Sequence, residues 1–439
     1  MKRDVFIEII QDFKEKSLPE LVERETILKR PTVKKIISVI GPRRAGKTYY
    51  IFNIIKNLIS EGIPKERVIY VNLEDERLFP LEVKDMDLFL RTFFEIHSVD
   101  KNEEIHLFLD EVQNVDNWEA FVRRIMDTYN IQIYITGSSS KLLSKEIATS
   151  LRGRSLSTTI LPFSFREYLK AGKIEINKFL SSSKKEKIRS KLSIFLKYGS
   201  FPEITLEKDN DLKHKIIKEY VEVMLLQDII ERYNIKNTKL LKILFDGIIS
   251  STSSTFSIHK FFKFLRSQGM KISKNTLYQY VQYLEDAYAI ILLRSFNFSA
   301  RMVEQSLPKV YPIDPGFILT HSTRFSRDLG KAMENVVAVE LFRRRSEQPS
   351  QDIYYWKEQN SKEVDFVIKE NLKITKLIQV CYDIDNFNTY RREIDSILRS
   401  SEILECNDLC VITWDKDEII EVKGKKIEYI SLWKWLIAH

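Results

Sequence analysis

The sequence predicts an α/β fold: a phosphate-loop parallel sheet first, then helical segments, then a second α/β region. Three observations carry this reading. The apolar run Ile36–Ile40 ends in Gly41, passes Pro42-Arg43-Arg44-Ala45, and reaches Gly46-Lys47-Thr48 where a helical segment opens. That is the strand–loop–helix context of a phosphate-binding loop. Through residue 161, short apolar runs alternate with helix-period segments, as successive βα units do. After residue 308 the alternation resumes.

Composition narrows the class. At 439 residues the chain is long enough for several domains. Hydrophobic residues make up 44% and charged residues 30%, so a globular chain is expected rather than a disordered one. No apolar run approaches the roughly 18 residues of a membrane helix, so no membrane partner is expected. Met1-Lys2-Arg3-Asp4 leads into mixed acidic and apolar residues, unlike a secretory signal, so the cytoplasm is the expected location. Cys381, Cys406 and Cys410 are too few for a disulfide framework and lack the neighbours of a zinc site. The net charge of +8 permits a nucleic-acid partner, although few Gly and many Lys, Ile and Glu also fit a thermophile's composition.

Residues 1–30 read as a helical lead-in, with Val5, Phe6, Ile9, Ile10 and Phe13 at helical spacing. A second short helix is expected after Pro19, through Leu21 and Val22. In the loop, Gly41 and Gly46 let the backbone curl so that successive N–H groups face one anion. The new helix adds positive potential at its start. Lys47 is placed to reach β- and γ-phosphates, and Thr48 to offer its hydroxyl to magnesium. The nucleotide-binding set is therefore Gly41, Pro42, Arg43, Arg44, Ala45, Gly46, Lys47, Thr48 and Tyr49, with ATP and Mg2+ as the cofactors.

A second strand is expected over 68–73, a helix over 83–96, and a third strand ending in Asp110-Glu111. In a nucleotide site the first acid holds magnesium and the second polarises the attacking water. A helix over 118–129 and a strand over 131–135 follow. The polar run Thr136-Gly137-Ser138 then sits where open α/β sheets bind ligands. Either Thr136 or Ser138 senses the γ-phosphate, or the run simply caps the next helix. Arg154, and after it Arg152, are arginine-finger candidates acting in cis or from a neighbouring subunit. The alternative is a surface arginine on a turn.

Residues 1–165 resemble AAA+-type ATPases, and more closely the archaeal and bacterial ATPases that pair such a domain with a C-terminal domain of uncharacterised function. The motifs are Gly41-Pro42-Arg43-Arg44-Ala45-Gly46-Lys47-Thr48, Leu109-Asp110-Glu111-Val112-Gln113, Ile135-Thr136-Gly137-Ser138, Leu151-Arg152-Gly153-Arg154, and the block from Leu161 to Tyr168. The resemblance runs on over nearly the whole chain and implies a helical lid over 166–245. That segment reads as helical with a Ser/Lys-rich interruption at 181–187, and Asp228 and Arg232 can pair at i, i+4.

Residues 246–305 outline a winged helix-turn-helix. Two helices cross a turn at Gly269, and 289–293 with 294–298 are expected to form the wing. Lys271, Lys274, Asn275, Tyr278 and Gln279 would face a groove of DNA. The same outline also serves protein interaction. Residues 306–439 resemble the restriction-endonuclease-like fold, whose active members set Asp, then Glu-x-Lys, around a divalent metal. Here Asp365 takes the metal-ligand position and Glu334 or Glu340 the helix acid, but Gln379 and Cys381 stand where the carboxylate and ammonium belong. A nuclease-inactive domain is the expectation. The whole reads as an ATPase that acts on duplex or branched DNA, within a homo-oligomer if Arg154 acts in trans. The alternative is a nucleotide-gated protein-interaction switch of a defence or toxin–antitoxin type.

Overall fold

The computed structural model describes residues 2–28, 31–97, 103–137, 151, 153–320, 329–358, 362–382, 384 and 387–438. It divides into two units, residues 1–161 and 162–439. The first is built on five parallel strands, β1 (Ile36–Ile40), β2 (Val68–Asn72), β3 (Ile105–Asp110), β4 (Ile131–Thr136) and β5 (Ser155–Thr159), in the order β2-β3-β4-β1-β5. Every residue of β1 and β3 is buried, as expected of strands covered on both faces. Helices α1 (Lys2–Glu15), α2 (Lys47–Ser60), α3 (Val83–His97) and α4 (Trp118–Thr128) complete the unit. Ile51, Ile54, Ile55 and Leu58 of α2 pack on Ile37 and Val39, with Phe108 and Tyr134 stacked at 4.3 Å in the same core. From β1 the chain crosses past β4 and β3 to reach β2, while β5 lies on the other side. The strand order therefore reverses beside β1, and the phosphate loop leaves from its carboxyl end, where open α/β sheets bind ligands.

The helix expected after Pro19 does not form. Residues 17–28 are irregular because their polar groups bond elsewhere. Arg24 donates to the carbonyls of Ala45 at 2.9 Å and Leu161 at 2.6 Å, and Thr26 accepts from the Tyr50 hydroxyl at 3.1 Å.

The second unit begins with helices. Ser164 and Glu167 form a reciprocal cap on helix Phe165–Ala171. The expected Ser/Lys interruption is instead the start of helix Ser182–Tyr198, because Ser181 caps it by accepting from the Lys184 N–H. Asp228 and Arg232 do not share an ordinary α-helix: Met224–Glu231 is π-helical, which changes the i, i+4 geometry.

Helices Ile258–Ser267 and Lys274–Asp286 flank the Gly269 turn as expected. The wing differs. Strand β7 (Ile290–Leu293) pairs with β8 (Lys309–Pro312), and β6 (Ser254–Thr255) completes a sheet ordered β6-β8-β7. Residues 294–298 are not its second strand. Their backbone bonds to Tyr355 instead: the Tyr355 N–H donates to the Arg294 carbonyl at 3.0 Å, and Phe296 N–H to the Tyr355 carbonyl at 2.6 Å.

The last region is a six-stranded mixed sheet. Its strands are β9 (Gln351–Lys357), β10 (Glu363–Glu370), β11 (Lys373–Cys381), β12 (Leu409–Thr413), β13 (Glu418–Val422) and β14 (Lys425–Ser431), ordered β13-β14-β12-β11-β10-β9. β9, β10 and β11 run antiparallel, while β11, β12 and β14 run parallel. Helices Leu329–Glu347, Phe387–Ile403 and Leu432–Ile437 accompany it.

Candidate nucleotide-binding site

The loop between β1 and α2 is held open by two left-handed backbone positions, Arg44 at φ 64° and Gly46 at φ 90°. Gly41, at φ 142°, approaches so closely that a Cβ there would stand 2.0 Å from the Ile160 carbonyl oxygen. Lys47 is buried, with Nζ 3.3 Å from the Gly41 carbonyl oxygen and 3.1 Å from that of Pro42. Its ammonium thus sits inside the curl. Pro42 and Ala45 are buried, while Arg44 and Tyr49 are exposed and Arg43 is half-buried.

Beside the loop, Asp110 at the end of β3 is 1% exposed and fully engaged. It accepts from the Tyr70 hydroxyl at 3.0 Å and from Thr136, and the Thr48 hydroxyl also favours its charged form. Burial raises its pKa, and the Glu111 charge adds to this, against the three hydroxyls. Glu111 turns into the left-handed region at φ 56°, so its side chain leaves the strand's alternation. Gln113 donates to its carboxylate, Asn114 to its carbonyl at 3.1 Å, and its own N–H donates to Thr136 at 3.0 Å. Glu74, past the end of β2, is raised by burial and by Glu111, and is drawn back by Arg43.

These residues fit a nucleoside triphosphate with magnesium: a curl that leaves no room for a Cβ at Gly41, a buried ammonium in it, and a buried carboxylate beside it with the Thr48 hydroxyl at the start of the helix. Thr136 joins Asp110 and Glu111. Ser138 and Arg152 lie outside the described residues. Arg154 precedes β5 and ion-pairs with Asp127 at 2.7 Å. It therefore lies at the amino end of a strand whose carboxyl end flanks the loop, about 16 Å away along five residues. An arginine side chain is shorter than that distance, so Arg154 stands away from the loop of its own chain.

Three residues escaped the sequence reading. Arg24 bridges loop and β5 end, and Tyr70 and Gln113 orient the two acids. Only Gln113, two residues from Glu111, carried a local signal.

Comparison places the chain. Residues 33–169 match the family model described as "AAA domain". Residues 189–328 and 329–434 match two families each described as a domain of unknown function, DUF8612 and DUF4143. The Methanocaldococcus jannaschii "Uncharacterized protein MJ1544" is 38% identical over 444 residues, spanning 100% of this chain and 96% of that protein. The chain belongs to the same family. A Haemophilus influenzae member is 28% identical over 400 residues, covering 91% and 93% of the two chains. A solved structure, the Walker-type ATPase of Pyrococcus abyssi, is similar at 15% identity, covering 65% of this chain and 90% of that one, with a TM-score of 0.41. The family's first unit is an AAA+ P-loop fold, with a C-terminal sheet region in the second.

In that second unit of the family member, Lys271, Asn275, Tyr278 and Gln279 are exposed and Lys274 half-buried, with the Lys274 ammonium 5.6 Å from the Tyr278 ring centre. Glu334, Asp365 and Gln379 come together, but Glu340 does not join them. It ion-pairs with Arg343 and Arg344, both at 3.2 Å. The Gln379 carbonyl oxygen accepts from Asp365 N–H at 3.2 Å, and its amide donates to Glu393 at 2.6 Å. Cys381 packs into the apolar core with Val364 and Leu377. Among the described residues no helix is long and apolar enough to cross a membrane.

Proposed function

We propose that this protein binds and hydrolyses ATP and works on DNA, as part of a homo-oligomer. One observation carries the first half: Lys47 in the loop's curl, Asp110 buried and bonded at the end of β3, and Glu111 turned out of its strand stand at the carboxyl edge of one sheet. Gly41–Thr48 and Tyr49 would hold the nucleotide, and Thr48 with Asp110 the magnesium. Bound magnesium neutralises charge on the phosphates. Glu111 accepts a proton from water, and Gln113 holds its carboxylate until then. Thr136, which orients both acids, is the γ-phosphate sensor, with Ser138 as the other candidate. Arg154, and Arg152 after it, reach a neighbouring subunit's nucleotide.

The DNA half is supported by the exposed basic face of the helix-turn-helix and by the net charge of +8. Solved structures with distant similarity include an origin-recognition protein in complex with DNA. The C-terminal sheet is read as a nuclease-inactive restriction-endonuclease-like domain. The domains are then 1–165, 166–245, 246–305 and 306–439. The test is the ATPase rate with and without duplex, single-stranded and four-way DNA. Stimulation upholds the reading. ATPase activity without stimulation or salt-dependent binding removes DNA, and leaves the nucleotide-gated protein switch.

A further inference from the structure

Lys309 is 1% exposed, yet its side chain ends in an amine that faces three carboxylates. Its Nζ stands 3.0 Å from Glu334 Oε1, 2.7 Å from Glu363 Oε1 and 2.9 Å from Asp365 Oδ1. An ammonium has three N–H donors, and here three different carboxylates take them. Two of the remaining oxygens are held as well: Asp365 Oδ2 accepts from Val380 N–H at 3.0 Å, and Glu363 Oε2 pairs with Lys357 at 2.8 Å. Glu334 Oε1, the oxygen that faces Lys309, also accepts from the Tyr311 hydroxyl at 2.7 Å. Burial pulls the Lys309 ammonium's pKa down, but Asp365 and Glu334 outweigh it and hold it well above the ordinary value. Burial and Asp365 push Glu334 up to about 7.

The carboxylates come from helix Leu329–Glu347 and from β10, whereas the amine comes from β8 of the three-stranded sheet. Their oxygens converge on one point at the distance of an ammonium. Oxygen contacts to magnesium or calcium are closer, at about 2.0–2.6 Å. Among the described residues no group of His, Cys, Asp and Glu converges closely enough to hold a metal ion. Three carboxylates around one buried point repel unless a cation is present, and a compact all-oxygen donor set suits magnesium or manganese.

We propose that the Lys309 ammonium is the resident cation of a carboxylate site of the divalent-metal class, bolting β8 to the C-terminal sheet where a metal ion would otherwise sit. The assignment is independent of the ATPase and DNA readings. It also moves the cause of metal exclusion: the side chain that closes the site is Lys309, ahead of Gln379 and Cys381.

The test is a Mn2+ titration of the nucleotide-free full chain, followed by the electron-paramagnetic signal of free Mn2+ and by melting temperature. Wild type and Asp365→Asn should bind Mn2+ alike. Lys309→Ala should take up one Mn2+ per chain, about ten-fold or more tighter than wild type, with a rise in melting temperature. Adding Asp365→Asn should abolish both. Recovery of a poorly folded Lys309→Ala chain by Mn2+ counts in favour. A folded Lys309→Ala chain that takes up no Mn2+ overturns the proposal. If Lys309→Ala fails to fold even with Mn2+, the wild-type titration decides: uptake that Asp365→Asn removes overturns the proposal, and equal binding upholds it.

Discussion

Lys47 and Glu111 both belong to the carboxyl edge of the first sheet, but their removal should separate binding from turnover. Lys47→Ala deletes the buried ammonium in the loop's curl, so calorimetry should register no ATP uptake. Glu111→Gln keeps the shape and the Gln113 neighbour but cannot accept a proton. It should bind ATP normally and hydrolyse it about 100-fold or more slowly; normal turnover would dismiss Glu111 as the base. Arg24→Ala removes two hydrogen bonds made by a buried cation to the loop and to Leu161. A loss of about 2–3 kcal/mol in urea unfolding is expected, with weaker ATP binding, and Arg24→Lys should not restore the planar bridge. Lys47 and Glu111 were legible because their roles are written in short spacings. Arg24 was not, since its partners lie 21 and 137 residues away.

Strands and helices were read well wherever their period was uniform, as in β1, β3, α2 and the Lys274–Asp286 helix. Errors fell where bonds outside the element decided it, at residues 17–28 and 294–298, and at 181–187, where the Ser181 cap starts a helix in a polar run. Two turns carry predictions at this scale. Gly41→Ala would press a Cβ against the Ile160 carbonyl at a φ that L-residues avoid. Unfolding should be easier by about 2 kcal/mol or more, as a lower denaturation midpoint. The Tyr198–Ser200 turn is tied to Asp314, which accepts from Ser200 N–H and Gly316 N–H, both at 2.8 Å, while Gly199 leaves no room for a Cβ. Burial pushes Asp314 up to about 6. A raised carboxyl favours folding when protonated, so its contribution is present near pH 4 and is lost as pH climbs to about 6. Wild type should therefore lose about 2–3 kcal/mol relative to Asp314→Asn between pH 4 and pH 7. Parallel urea titrations would read the difference, and a constant gap would refute the assignment.

At the scale of the molecule, the AAA+ sheet follows from the sequence motifs, whereas its strand order and the pairing of β8 do not. Strand β8 reads as the start of the C-terminal region, yet it hydrogen-bonds to β7, because a four-residue strand carries no mark of its partner. The DNA reading also belongs here. If the helix-turn-helix face meets phosphates, replacing Lys271 and Lys274 by Glu should weaken duplex binding on all sequences. It should also flatten the salt dependence by about two phosphate contacts, roughly 1.8 in log–log slope. An unchanged slope would point to a protein partner.

The three-stranded sheet and the segment after β7 are stitched to the six-stranded sheet twice, through Arg294 and Phe296 to the Tyr355 backbone and through the Lys309 side chain. A load applied at the Lys274–Asp286 helix should thus be transmitted rather than absorbed, as by a spoke rigidly keyed to its hub. In deuterium-exchange mass spectrometry, the amides of β7 and β10 should then open as one cooperative block, and cutting the Lys309 key should let β7 exchange ahead of β10.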